Sequence, residues 1–226
     1  MKFTIQIQLF PTTEQAALLR TTVERFNAVA EWLAGEAFRR KTANKILLQQ
    51  LYYRTMRDEY GLSAQMACLC VTQVSSAYKR DKAKRPHFRT HAAMPFDRRI
   101  MAFKGIDRVS LLTLDGRVLV PMVMGRYQQE RFRFTNRLSD LIRRKDGCWF
   151  LLATVDLPDG TPTPTTDFLG VDLGIVNIAT TSDGETIERV RQRHQNHVIS
   201  KALVATAKGT DRGIAMEDLK MESPRL

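Results

Sequence analysis

Asp172 lies in the stretch FLGVDLGIVNIATTSDGE, residues 168–185, between two apolar runs and two residues before Gly174. A pair of acids, Glu217 and Asp218, closes the short apolar run GIAMEDL. A carboxylate inside an apolar strand costs free energy unless it is paired or holds a cation, so Asp172 is expected to have a partner. Gly170 and Gly174 would allow a ligand or another backbone to come close. Two acids at the ends of neighbouring strands can converge on one divalent ion, and hard cations such as Mg²⁺ accept oxygen ligands of this kind. Asp218 should face the opposite side of the strand from Glu217. The plain alternative is that Asp172 and Glu217 are structural, each paired with Lys or Arg. His197, beside Asn196 and near His194, falls at the expected start of a helix with no third ligand in view, which suits a cap or surface role. Asp183 belongs to a Ser182-Asp183-Gly184 turn.

The cations form the second group. Lys and Arg number 35 against 24 acids, for a net charge of +11 and a pI near 9.9. That balance is expected of a protein that neutralises phosphates. The run YKRDKAKRPHFRTH concentrates Lys79, Arg80, Lys82, Lys84, Arg85 and Arg89 around one acid, Asp81, and interleaves Tyr78, His87 and Phe88. Such a run can contact a phosphate backbone while its aromatics stack on bases. It also reads as a solvated linker, and the two readings are compatible. Arg98 and Arg99, then Arg126, Arg131, Arg133 and Arg137, add further cations downstream. Cys68, Cys70 and Cys148 form no Cys-x-x-Cys pair, so neither a zinc site nor a disulfide framework is expected, and the thiols should be free and reduced.

These residues need elements to carry them. Residues 3–10, FTIQIQLF, alternate with period two and predict a half-buried strand stopped by Pro11. Thr12 and Gln15 fit a capping box for an amphipathic helix running to about Phe38. Helical patterns follow over Asn44 to Tyr60, closed by Gly61, and over Ser63 to about Lys79. From about Met94 to Leu157 the texture predicts strands, with Asp115-Gly116 and Asp146-Gly147 as hairpin signals. Four or more strands with the N-terminal one would make a small barrel or curled sheet whose outward arginines could hold a nucleic-acid backbone. The stretch LPDGTPTPTTD, residues 157–167, reads as a linker. Beyond it come the Asp172 strand over Phe168 to Asn177, a segment from Ile178 to Thr181 that continues or pairs with it, a helix ended by Gly209, and the Glu217 strand. Length suggests one or two domains. No apolar run approaches the roughly 18 residues of a membrane span. The start, MKFTIQIQLFPTTEQ, turns polar too early for a signal peptide, so a soluble intracellular protein is expected.

GVDLGIVNIATTSDGE followed by NHVISKALVATAKGTDRGIAMEDL resembles the first two motifs of the RuvC-like nuclease domain of the TnpB family. These are transposon-encoded RNA-guided DNA endonucleases related to compact type V CRISPR effectors. LFPTTEQAALL, YGLSAQMA and DRRIMAFKGIDRVSLLTLDGR are also similar to that family, so the resemblance covers nearly the whole chain. It implies an α+β protein: a β-barrel-like wedge with a helical recognition insert (residues 1–156, helices about 12–80), a linker (157–167), and a partial RNase H-like α/β domain (168–226). It further implies that Asp172 and Glu217 jointly hold Mg²⁺ for phosphodiester hydrolysis, and that guide RNA and target DNA are the partners in a prokaryotic, nucleoid-associated cytoplasmic setting. Sequence reading would be left mostly to base pairing. The basic helical segment usual between the two motifs is shortened here to TIERVRQRHQ. The family's third carboxylate and zinc ribbon do not occur in this sequence, which implies little Mg²⁺-dependent cleavage by the chain alone. A nuclease-deficient RNA- and DNA-binding protein acting by occupancy is therefore the second reading of the same resemblance.

Overall fold

The structure is a computed structural model that describes residues 1–79, 81, 83–158, 165–173, 177–188 and 195–216. It divides into two compact units, Met1–Asp159 and Gly160–Leu226.

In the first unit, strand β1 (Lys2–Leu9) is followed by helices α1 (Thr13–Arg39), α2 (Lys45–Asp58) and α3 (Ala64–Ala77). The chain then continues through strands β2 (Met94–Asp97), β3 (Met101–Lys104), β4 (Arg108–Thr113) and β5 (Gly116–Val123), a short helix α4 (Arg126–Phe132), and strands β6 (Thr135–Arg143) and β7 (Trp149–Asp156). The seven strands form one antiparallel sheet in the order β2-β6-β7-β1-β5-β4-β3. Its two edge strands, β2 and β3, are consecutive in the chain. Laid flat, seven strands would put the edges about 29 Å apart. The Cα path from Asp97 to Met101 reaches at most about 15 Å. The sheet must therefore curl until its edges approach, which makes a nearly closed barrel. Ile5, Ile7, Phe96, Met101, Leu111, Val120, Leu141 and Leu151 fill it.

Each helix starts where a side chain accepts the first free amides. Thr12 Oγ1 accepts from Gln15 N at 3.3 Å while Gln15 Oε1 accepts from Thr12 N at 3.1 Å, completing the capping box. Asn44 caps α2 and Ser63 caps α3 in the same manner. Gly61, at φ +70°, closes α2 in the left-handed conformation that glycine tolerates. The three helices pack together and onto the sheet through one continuous core. Two buried polar residues of α1 fix that docking. Thr22 Oγ1 accepts from Leu114 N in the β4–β5 turn. Asn27 Nδ2 donates to Thr90 O and Ala92 O, holding the chain just ahead of β2.

Two features of this unit differ from expectation. The β4–β5 hairpin turns at Leu114-Asp115, pairing Thr113 with Gly116, so Gly116 opens β5 rather than occupying the turn. Residues 126–132, expected between strands, form α4, because Arg, Gln and Glu are good helix formers and Arg126 bonds Glu130 one turn on at 2.9 Å.

The second unit holds strands β8 (Phe168–Asp172), β9 (Asn177–Thr181) and β10 (Thr186–Glu188), helix α5 (Gln195–Gly209), and strand β11 (Gly213–Met216). Strands β8, β9 and β10 pair antiparallel. Strand β11 returns after α5 to lie parallel to β8, giving the order β10-β9-β8-β11. Leu169, Val171, Ala179, Ile199, Leu203 and Ala207 form its core.

Candidate functional site

Strand β8 alternates: Leu169 and Val171 are buried, so Phe168 and Asp172 face outward. The expectation that Asp172 is buried and needs a partner to offset its desolvation is thereby corrected. Its carboxylate is exposed at the C-terminal end of β8 and has no hydrogen bond or ion pair among the described residues. It lines a cleft of about 620 Å³ with Thr180, Ser182 and Met216. The parallel register runs from Gly213 opposite Phe168 to Met216 opposite Val171. Asp172 is thus the next residue beyond the last described pair on β8, and Glu217, which follows Met216 in sequence, lies outside the described residues along with Asp218 and Gly174.

The donors around this cleft are oxygens: the Asp172 carboxylate and the neighbouring hydroxyls. That set suits a hard cation. Among the described residues, no group of three His, Cys, Asp or Glu comes together as a metal centre. Asp183 is otherwise committed. It takes a bidentate contact from Arg212, with Arg212 Nη1 donating to Asp183 Oδ1 at 2.9 Å and a second bond between Nη2 and Oδ2. This guanidinium holds the Asp183 carboxyl below its ordinary range, and ties the β9–β10 turn to the start of β11. Gly170 approaches the same turn, donating its N–H to Ser182 Oγ at 3.1 Å. His194 and the side chain of His197 lie outside the described residues.

The basic run between α3 and β2 is arranged differently from a free cationic arm. Lys79 and Arg89 are exposed, and Lys84 sits 3.8 Å from Asp81. Arg80 and Lys82 lie outside the described residues. Arg85 turns back onto α1, where Glu31 accepts from its Nη2 at 2.5 Å and from Phe88 N at 2.8 Å. The expected base-stacking aromatics are used internally. Tyr78 is buried with its hydroxyl donating to Ala34 O, and Phe88 packs against the core, so His87 alone of the three is exposed.

On the barrel, Arg126 is exposed and pairs with Glu130. The Arg131 guanidinium lies 3.7 Å from the Tyr127 ring centroid, and that of Arg133 lies 4.7 Å from Phe134. Arg98 and Arg99 occupy the link between β2 and β3, next to a cationic surface that sequence reasoning missed. Lys104 and Arg108 face each other across β3 and β4. Arg117 on β5 donates to Ser110 Oγ at 3.4 Å and to Arg99 O at 2.7 Å. Lys104, Arg108 and Arg117 line an open cleft of about 510 Å³ whose sole acid is Asp107, 3.4 Å from Arg108. Strand alternation was the signal available: with Val109 and Leu111 inward, Arg108 and Ser110 turn outward. What the sequence could not show is that β3 and β5 would flank β4 and gather the three cations.

No protein-family model matches the sequence, and no curated protein matches it. Among solved structures, the chain is similar to one described as a cryo-EM structure of a CRISPR-Cas12f ternary complex, with a TM-score of 0.41 and 8% identity. That alignment covers 85% of this chain and 51% of the other, so the chain spans about half the length of its counterpart. No helix among the described residues is long and apolar enough to cross a membrane.

Proposed function

We propose that this protein binds RNA and DNA through its first unit, and that its second unit is the RNase H-like part of a TnpB-type RNA-guided endonuclease. The observation that carries the reading is the parallel pairing of β8 and β11. It brings the end of a strand carrying an exposed Asp172, unpartnered among the described residues, beside Met216, after which the sequence supplies Glu217. The antiparallel three-strand meander β8-β9-β10, helix α5 and a fourth strand parallel to β8 make an α/β arrangement compatible with the RNase H-like domain that the sequence resemblance implies. The net charge of +11 and the cations on β3, β4 and β5 support the nucleic-acid half.

In this reading Asp172 and Glu217 would hold Mg²⁺, which supplies Lewis-acid activation for phosphodiester hydrolysis when bound. The contribution of Asp172 is a fixed, solvent-reachable oxygen donor at a strand end, and Arg212 with Asp183 holds the adjacent turn in place. The test is a Mn²⁺ titration by electron paramagnetic resonance, run beside RNA binding by fluorescence anisotropy. Asp172→Ala should abolish the stoichiometric Mn²⁺ site and leave RNA affinity within about twofold. Equal Mn²⁺ binding by both proteins would refute the metal role. Absence of RNA binding by the unaltered protein at low salt would refute the nucleic-acid half.

A further inference from the structure

At the corner where the C-terminus of α1 meets the N-terminus of α2 and the end of α3 lies a cavity of about 990 Å³. It is at the upper end of the range for small-molecule sites, and its walls are mostly apolar, with Phe38 presented at 45% exposure. Lys41, Lys45 and Lys79 stand around it. All three are exposed, and among the described residues none of them has an ion pair and no acid lines the cavity.

Two of the lysines occupy positions that folding disfavours. Lys41 adopts φ +51° in the turn that ends α1, where Lys41 N donates to Phe38 O and Thr42 N to Ala37 O. This is the position at which helices ordinarily place glycine. Lys45 is the first residue of α2, whose first turn carries no acid, so its ammonium opposes the helix dipole. Departures from local rules of this kind are expected at functional or strained sites. Tyr78, which also lines the cavity, is committed to Ala34 through its hydroxyl and serves as wall.

We infer that this cavity binds a nucleotide: its planar base lies against Phe38 and its phosphate is held by Lys41, Lys45 and Lys79. The shared chemistry is a phosphorylated heterocycle, presented either as a free mononucleotide or as an unpaired nucleotide of a strand. The site is separate from the cations on β3, β4 and β5, and the inference does not depend on the role proposed for them.

The probes are adenosine 5′-monophosphate, adenosine, inorganic phosphate and a 5′-phosphorylated trinucleotide, measured by titration calorimetry on the full chain. The monophosphate should bind at least about tenfold more tightly than adenosine or phosphate alone, the scale of one hydrogen bond to a charged group. The combined variant Lys41→Gln, Lys45→Gln, Lys79→Gln should lose that advantage, whereas Lys104→Gln, Arg108→Gln, Arg117→Gln should retain it. Lys41→Gly should weaken the monophosphate while raising the melting temperature, because it relieves the left-handed backbone. Competition by the trinucleotide would identify a strand as the source, and binding without competition would identify the free nucleotide. Monophosphate binding no tighter than adenosine, or unchanged in the three-lysine variant, would overturn the inference.

Discussion

Replacing Lys104, Arg108 and Arg117 together with Gln tests whether the outer face of β3, β4 and β5 holds a phosphate backbone. All three side chains are exposed, and among the described residues Asp107 is the acid that lines the cleft with them, so each cation is available to displace a counterion. Each phosphate contact contributes a slope of about 0.9 in log K against log salt for duplex and about 0.7 for single strands. Three contacts therefore account for about 2.7 or about 2.1. Between about 50 and 200 mM salt, a fourfold change, the unaltered protein should lose roughly 40-fold more affinity for a duplex than the variant does, or roughly 20-fold more for a single strand. The assay is fluorescence anisotropy with a structured RNA and a DNA duplex across that range, with circular dichroism to establish folding. Arg117 also bonds Ser110 and Arg99, so a companion variant, Asp107→Asn, checks the sign without disturbing those bonds. It frees Arg108 and should raise affinity at low salt. A slope unchanged in the triple variant would refute the assignment of this face, even if affinity fell uniformly.

Three further outcomes follow from the packing and the charges. Phe96 is fully buried on β2, the strand whose placement closes the barrel, and Phe96→Ala should cost about 3–5 kcal/mol in urea unfolding; a loss below about 1 kcal/mol would mean the barrel closes without it. Arg212 depresses the Asp183 carboxyl below its ordinary 3.8, so the associated stability is present above that value and lost as pH falls through the lower folded value. Protection factors of the β9–β11 amides, that is exchange corrected for the intrinsic pH dependence of the amide rate, should therefore fall on acidification in the unaltered protein and stay flat in this limb for Asp183→Asn; identical profiles would exclude the pair as the cause. Burial pushes the Cys70 thiol up to about 12, which leaves roughly one thiolate in ten thousand at pH 8. Cys68 and Cys148 should react with a disulfide reagent in the folded protein and Cys70 only after denaturation, whereas rapid labelling of all three would contradict the buried placement.

Much of the architecture was legible because local signals coincide with it. The alternation Ile5, Ile7, Leu9 marks β1, and Thr12, Asn44, Ser63 and Gly61 mark helix ends, since capping is decided by adjacent residues. The α4 helix was not legible because its seven residues, RYQQERF, are too few to show an apolar period, and contacts distant in sequence help to hold it: Gln128 Nε2 donates to Gln6 O and Phe132 packs edge-on against Phe103. Asp172 was found as a candidate, but its burial was misjudged. An apolar run suggests a strand covered on both faces, whereas β8 buries one face only. The basic run shows the reverse error. Charge density pointed to Arg85, Tyr78 and Phe88 as a binding arm, while Glu31 and the core claim all three through contacts about fifty residues apart in sequence. Lys104, Arg108 and Arg117 are far enough apart along the chain that only strand pairing makes them one surface.

The position of β1 also bears on how the chain comes to be folded. It lies in the interior of the sheet, between β5 and β7, with Lys2 opposite Asp156 and Leu9 opposite Met122. A nascent chain therefore exposes Ile5, Ile7 and Leu9 without partners until more than a hundred further residues have been synthesised, while α1 to α3 can form from local contacts. Barrel closure is the high-contact-order step and should set the overall folding rate. During that interval an apolar strand is open to pairing with other chains, so productive folding depends on the helices docking early enough to shield it.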